Sequence, residues 1–200
     1  MKFKVWISVA LFSVFAALAS AQDPVQKEMS AEEKAGMEKW QKNMTPGASH
    51  KSLDAMVGTF DTTVKSWMAP GTPPMESTGT SVNQWIMGGR YVEQRFTSSF
   101  MGQPFEGLGY TGYDNVSGKY WGTWIDSMST GVMSSTGSSS DGGKTFTFAS
   151  TMNDPMSGKA TQMEERITVI DHDHHNFQMW GPGPDGKNFK MMEIDYARKK

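Results

Sequence analysis

Asp171-His172-Asp173-His174-His175 sets three imidazoles and two carboxylates in five residues, the densest collection of metal-ligand types in the chain. Imidazole with carboxylate suits zinc or copper. In extended backbone, however, successive side chains leave opposite faces, so the reading is a polar hairpin turn without a metal. Thioether ligation of Cu(I) would need closely spaced methionines, and only the bare pair Met191-Met192 stands in the sequence. His50 lies ahead of the strand-rich region and the other three histidines share one turn. That arrangement offers no evident proximal ligand for haem. No cofactor is expected.

The sequence offers no familiar catalytic motif. There is no Gly-x-Ser-x-Gly elbow, no cysteine, no phosphate-cradling glycine loop and no His-Glu-x-x-His. Glu164 and Glu165 are neighbours on one strand and must face opposite ways, so they cannot work as an acid/base pair. Asp126, two residues from Trp124, is the carboxyl that burial would perturb, and Arg90 is its expected partner. Asn115-Val116-Ser117 matches a glycosylation sequon but reads as a turn. The residues assigned to an apolar pocket are Trp85, Arg90, Gln94, Tyr113, Trp124, Asp126, Phe177 and Met179, with a small apolar or amphipathic molecule as the expected occupant.

These residues have to be carried by strands. From Ser52 onward the chain repeats one grammar, an alternating segment followed by a Gly, Asp, Asn or Pro turn. The expected strands lie at about 56–67, 76–87, 90–101, 105–114, 119–127, 130–138, 144–152, 160–170, 175–181 and 188–198. No βαβ unit interrupts them, which favours an all-β, up-and-down antiparallel barrel of about ten strands over a sandwich. Alternation puts Val92, Gln94 and Phe96 inside with Arg90, and Glu93 and Arg95 in solvent. It likewise groups Gly122, Trp124 and Asp126 with Tyr120, and Met192, Ile194 and Tyr196 with Arg198. The small residues Gly79, Gly107, Gly109 and Gly122 leave room for a ligand.

Ahead of the strands, Ser30-Ala31-Glu32-Glu33 is a capping box, so a helix is expected to about Met44, stopped by Pro46-Gly47. Its apolar stripe of Met37, Trp40 and Met44 is expected to cover one end of the barrel. Residues 1–21 combine Lys2 and Lys4, an apolar run and Ala19-Ser20-Ala21, the pattern of a secretory signal peptide. The division is therefore a leader at 1–21, a lead-in and helix at 22–51, and the barrel at 52–200. The mature chain is expected in the periplasm or secreted, with no membrane span. The chain carries 19 basic and 21 acidic residues, and cutting the leader removes Lys2 and Lys4, which argues against a nucleic-acid partner. Beyond the leader only Leu53 and Leu108 remain as leucines, against 17 methionines in the whole chain, so methionine is expected to fill the core.

Met56-Val57-Gly58-Thr59-Phe60 resembles the Gly-x-Trp opening of lipocalins and related calycin barrels, in which a basic residue near the C-terminus packs over the first aromatic. That likeness implies Phe60 stacked against Arg198. Met87-Gly88-Gly89-Arg90, Gly112-Tyr113-Asp114, Gly122-Thr123-Trp124-Ile125-Asp126, Gly181-Pro182 with Asp185-Gly186-Lys187, and Lys190 to Arg198 resemble a bacterial family known as domain of unknown function 1579. The resemblance implies a lipocalin-like fold and no inherited activity. The sequence therefore points to an exported, non-catalytic binding barrel. A solid-cored interaction module is the alternative, and an enzyme built on Asp126 and Arg90 comes third.

Overall fold

The computed structural model describes residues 28–155 and 157–200; the leader lies outside the described residues. Ten strands follow in order: β1 (Gly58–Ser66), β2 (Met75–Ile86), β3 (Tyr91–Phe100), β4 (Gln103–Asp114), β5 (Lys119–Asp126), β6 (Met133–Ser138), β7 (Thr145–Asn153), β8 (Ala160–Val169), β9 (His174–Pro182) and β10 (Asn188–Arg198). Each pairs antiparallel with its sequence neighbours, and β1 pairs with β10 to close the barrel. Closure leaves no free edge for another chain to extend. The turn signals located every strand; the largest shift is at β6, which starts at Met133 rather than near 130. Gln103-Pro104, expected as turn, belongs to β4, because Phe100 pairs with Gln103 and the turn shrinks to Met101-Gly102.

The register of β1 on β10 puts Phe60 opposite Arg198. The guanidinium carbon sits 4.7 Å from the Phe60 ring centroid, as the calycin likeness implies. Its nitrogens donate to the carbonyls of Val57 at 2.7 Å, Ala55 at 3.2 Å and His172 at 2.9 Å. Gly58 holds φ +142°, and a Cβ there would lie 2.1 Å from an Arg198 nitrogen. Glycine is thus required both by the backbone and by the close approach of the arginine.

At the same end a short helix, α2 (Ala48–Lys51), and a 3-10 turn (Asp54–Met56) form the cap. Leu53 and Met56 pack there against Val92, Tyr120, Phe146 and Phe148. Ser52 meets the Tyr120 hydroxyl at 2.7 Å, and Asn83 donates to the Met56 carbonyl at 2.7 Å. The longer helix α1 (Ala31–Met44) starts on the expected capping box, with Ser30 and Glu33 exchanging backbone and side-chain bonds. It buries no residue, and Trp40 and Met44 stay 60% and 52% exposed. The cap is therefore built by the residues that follow Pro46-Gly47, not by Trp40 and Met44. Among the described residues no helix is long and apolar enough to cross a membrane.

Candidate functional site

The barrel is not filled. A cavity of about 1260 Å³ occupies its interior and reaches the end opposite the cap. The mouth is formed by the β1–β2, β3–β4, β5–β6 and β7–β8 connections, which contribute Met75, Met101, Ser127 to Val132, and Asn153 to Pro155. Eight methionines line it, among them Met133, Met152, Met179 and Met192. The abundance of methionine thus belongs to the cavity wall more than to a packed core, where a flexible thioether can conform to an irregular surface.

Of the residues assigned to the pocket from sequence, Gln94, Trp124, Asp126, Phe177 and Met179 line this cavity. Trp85, Arg90 and Tyr113 do not. Trp85 and Tyr113 pack on the core cluster beneath the cap, where the Trp85 indole donates to Asp54 at 2.8 Å and Tyr113 stacks edge-on to Tyr120. Arg90 belongs to the β2–β3 turn, not to the interior. It donates to the carbonyls of Met87 at 3.1 Å and Met44 at 3.2 Å, helping to hold the end of α1. Asp126 lies at the far end of β5, near the mouth, and accepts from the Trp124 indole at 3.0 Å and the Met128 amide at 2.9 Å. The expected Arg90–Asp126 pair does not exist, and with it goes the enzyme built on that pair. Strand alternation assigned a face correctly but not a depth, and a residue at a strand end need not follow the strand.

Two further expectations change. The space beside Gly107 and Gly109 is taken by Trp124, since a Cβ at Gly107 would lie 2.1 Å from its indole. Those glycines seat the tryptophan rather than a ligand. Glu93 does point outward, but it is sheathed to 8% exposure by Arg95 at 2.8 Å, Gln84 at 3.1 Å and Tyr110 at 3.3 Å.

Two residues that the sequence does not assign to the pocket lie in the interior. Glu165, 6% exposed, projects from β8 into the cavity, while its neighbour Glu164 is outside. Its Oε1 accepts from Ser150 at 2.6 Å, and both its oxygens lie 3.4 Å from the Ser135 hydroxyl. Burial raises its pKa above the ordinary 4.5, only partly offset by the two serines. The available signal was a carboxyl in register with Met163, Ile167 and Val169 on an apolar face. His175, 4% exposed, also turns inward. It stacks on Tyr196 with centroids 4.2 Å apart and meets Phe60 edge-on at 4.7 Å. Burial, helped by the Arg198 charge, depresses its pKa to about 4, and its Nδ1 has no hydrogen-bond partner.

His175 is therefore a wall residue and not part of the histidine turn. Its alternation with Phe177 and Met179 was the clue. His172 and His174 remain outside, against Asp173 at 2.7 Å and Asp171 at 2.9 Å. Among the described residues no three metal-ligating groups come together. Tyr196 is buried, its pKa pushed up to about 12 by desolvation. Gln94 donates to it at 3.4 Å and to Ser81 at 2.9 Å, so the Gln94 amide belongs to a network at the bottom of the cup.

Ten sequentially paired strands closed around an open-mouthed cup, with the last-strand arginine over the first-strand aromatic, define a lipocalin-like, calycin-type barrel. A family model described as a protein of unknown function, DUF1579, matches residues 45–198, and the chain belongs to that family. No curated protein matches it. Among solved structures, Rv2717c from M. tuberculosis superposes with a TM-score of 0.59 at 12% identity, covering 78% of this chain and 100% of that one. The S-type phycobiliprotein lyase CPES from Guillardia theta gives 0.52 at 14% identity, covering 82% and 97%. At these identities the likeness is one of fold.

Proposed function

We propose that the protein is an exported, non-catalytic binder of a small apolar or amphipathic molecule held inside the barrel. The connected cavity of about 1260 Å³ with a single-ended mouth supports this reading over a solid-cored module, since ligand sites of drug-sized molecules commonly span about 300–1,000 Å³. Trp124, Phe177 and Met179 supply the apolar wall, and Asp126 supplies a polar group at the entrance. Trp85, Arg90 and Tyr113 frame the closed end.

Native mass spectrometry of protein purified from its own host tests the reading. A stoichiometric small-molecule adduct is expected, whose extraction lowers the melting temperature. A bare mass, together with no thermal shift from any apolar probe, would leave a packed-module role as the better account. Export has its own check: the mature chain should begin at Gln22, after the Ala19-Ser20-Ala21 site, and an intact leader on secreted material removes it.

A further inference from the structure

The charges of the cavity lining are one-sided. Among the described residues no lysine or arginine lines it, whereas Glu76, Asp126, Asp154 and Glu165 do. His175 does not redress the balance, because an imidazole with a pKa near 4 is neutral at physiological pH. Arg198, the nearest cation to it, stacks on Phe60 and is spent on backbone carbonyls at the closed end. A carboxylate or phosphate entering this cup would shed its hydration and meet no lysine or arginine among the described lining residues.

Two of the acidic groups stand at different depths. Asp126 is at the mouth end of β5. Glu165 lies half-way along β8, paired with Phe148 on one side and Met179 on the other. Glu165 is almost wholly buried, yet its Oε2 has only the 3.4 Å contact with Ser135, so acceptor capacity remains. The unpartnered Nδ1 of His175 belongs to the same lining. Around them, Phe96, Trp124, Phe177 and Tyr196 line the cavity, and aromatic rings attract a cation over their faces.

We propose that the cavity selects amphiphiles whose polar end is a basic, N–H-bearing group, such as an amine, amidine or guanidine, over carboxylates and phosphates, with Glu165 as the inner anchor and Asp126 as the outer one. The inference rests on the binding reading above and narrows it to a ligand class. A bound ammonium supplies the counter-charge that Glu165 lacks, donates to Oε2, and leaves its hydrocarbon against the methionines. The strands beside Glu165 set no cation against it: β7 presents Ser150, β6 presents Ser135, and β9 presents Met179.

Three probes of equal chain length separate the outcomes: dodecylamine, dodecanol and lauric acid, each titrated against a fluorescent apolar probe at neutral pH. Dodecylamine is expected to displace the probe at least ~10-fold more effectively than lauric acid, equivalent to about 1.4 kcal/mol. Glu165→Gln, which keeps shape and hydrogen bonding, should cut that preference to about 3-fold or less while leaving dodecanol unchanged; Asp126→Asn should give a smaller loss in the same direction. If dodecanol binds but the amine is no better than the acid, the charge inference fails and the binding reading stands. If none of the three binds, both fail. An amine preference untouched by either variant overturns the assignment of the anchors.

Discussion

The two ends of this barrel solve opposite problems. At the closed end polar side chains are committed to the backbone and to one another. Arg198 holds three carbonyls, Ser52 meets Tyr120, and Asn83 ties the cap to β2. Leu53, Phe60 and Phe146 are completely buried there. At the open end Met68, Met101, Met128 and Val132 are each more than half exposed, and the connections carry glycine, serine and methionine. One end supplies stability and the other tolerates change. A cup needs both, because burial that filled the mouth would also remove the site.

The largest expected effect lies at the closed end. Arg198→Ala removes a cation–π contact and leaves the half-buried carbonyls of Val57 and Ala55 without a donor, so it should cost about 2–4 kcal/mol in urea or thermal unfolding. Gly58→Ala should be comparably severe, since its Cβ would collide with the same guanidinium. Lys200→Ala, two residues away, should stay within about 0.5 kcal/mol. Equal effects of Arg198→Ala and Lys200→Ala would dissolve the contrast between the ends.

Next comes the acid limb of stability. His175 is held near pKa 4 in the fold against about 6.5 unfolded, so the unfolded chain binds the extra proton between those values. The stabilisation is therefore complete above pH 6.5, falls as pH drops toward 4, and is flat below. At 1.36 kcal/mol per unit the loss is about 3 kcal/mol. His50, also lowered chiefly by burial, adds in the same direction. His175→Phe should flatten most of this limb in melts taken between pH 6.5 and 4.5. An unchanged slope would mean that the imidazole titrates freely.

Glu165 sets the opposite slope, and a smaller one. Its folded pKa is raised by burial, so the fold binds the extra proton; its contribution is present below 4.5 and is lost as pH rises through the folded value. Glu165→Gln should thus raise the melting temperature at pH 8 and leave it nearly unchanged at pH 4. A variant less stable at pH 8 would show that the ionised carboxyl is welcome in the fold without a ligand.

How much of this could be read from the sequence differs by level. Strand number and closure were legible because turn chemistry and alternation are local rules acting on each hairpin, and one pairing closes the ring; the Phe60–Arg198 contact followed from the calycin likeness. The site was half legible. Gln94, Trp124, Asp126, Phe177 and Met179 share the inner face by parity alone, but parity says nothing of height within the cup. Height is what removed Trp85, Arg90 and Tyr113. Glu165 beside Glu164 looks like half of a carboxylate pair and His175 like part of a turn, because sequence neighbours hide what strand partners decide. Helical spacing alone does not bury a stripe: Trp40 and Met44 stay exposed.

The smallest effect sharpens the contrast most, because its two readouts should move in opposite directions. Met101 and Gly102 form the two-residue β3–β4 turn, with φ +51° and +77°. Positive φ at both central positions is the type I′ geometry, for which Asn-Gly is strongly favoured and an unbranched methionine is not. Left-handed backbone costs a non-glycine residue about 1–2 kcal/mol, and asparagine recovers part of that through local hydrogen bonding. Met101 is nevertheless 73% exposed and part of the cavity mouth, so its side chain gains little from the fold itself. Met101→Asn should therefore stabilise the protein by up to about 1 kcal/mol while weakening uptake of an apolar probe through loss of a thioether at the rim. Higher stability with unchanged uptake would take Met101 out of the binding surface. Lower stability would mean that the methionine packs on its neighbours across the mouth, and that the open end is more tightly built than its exposure suggests.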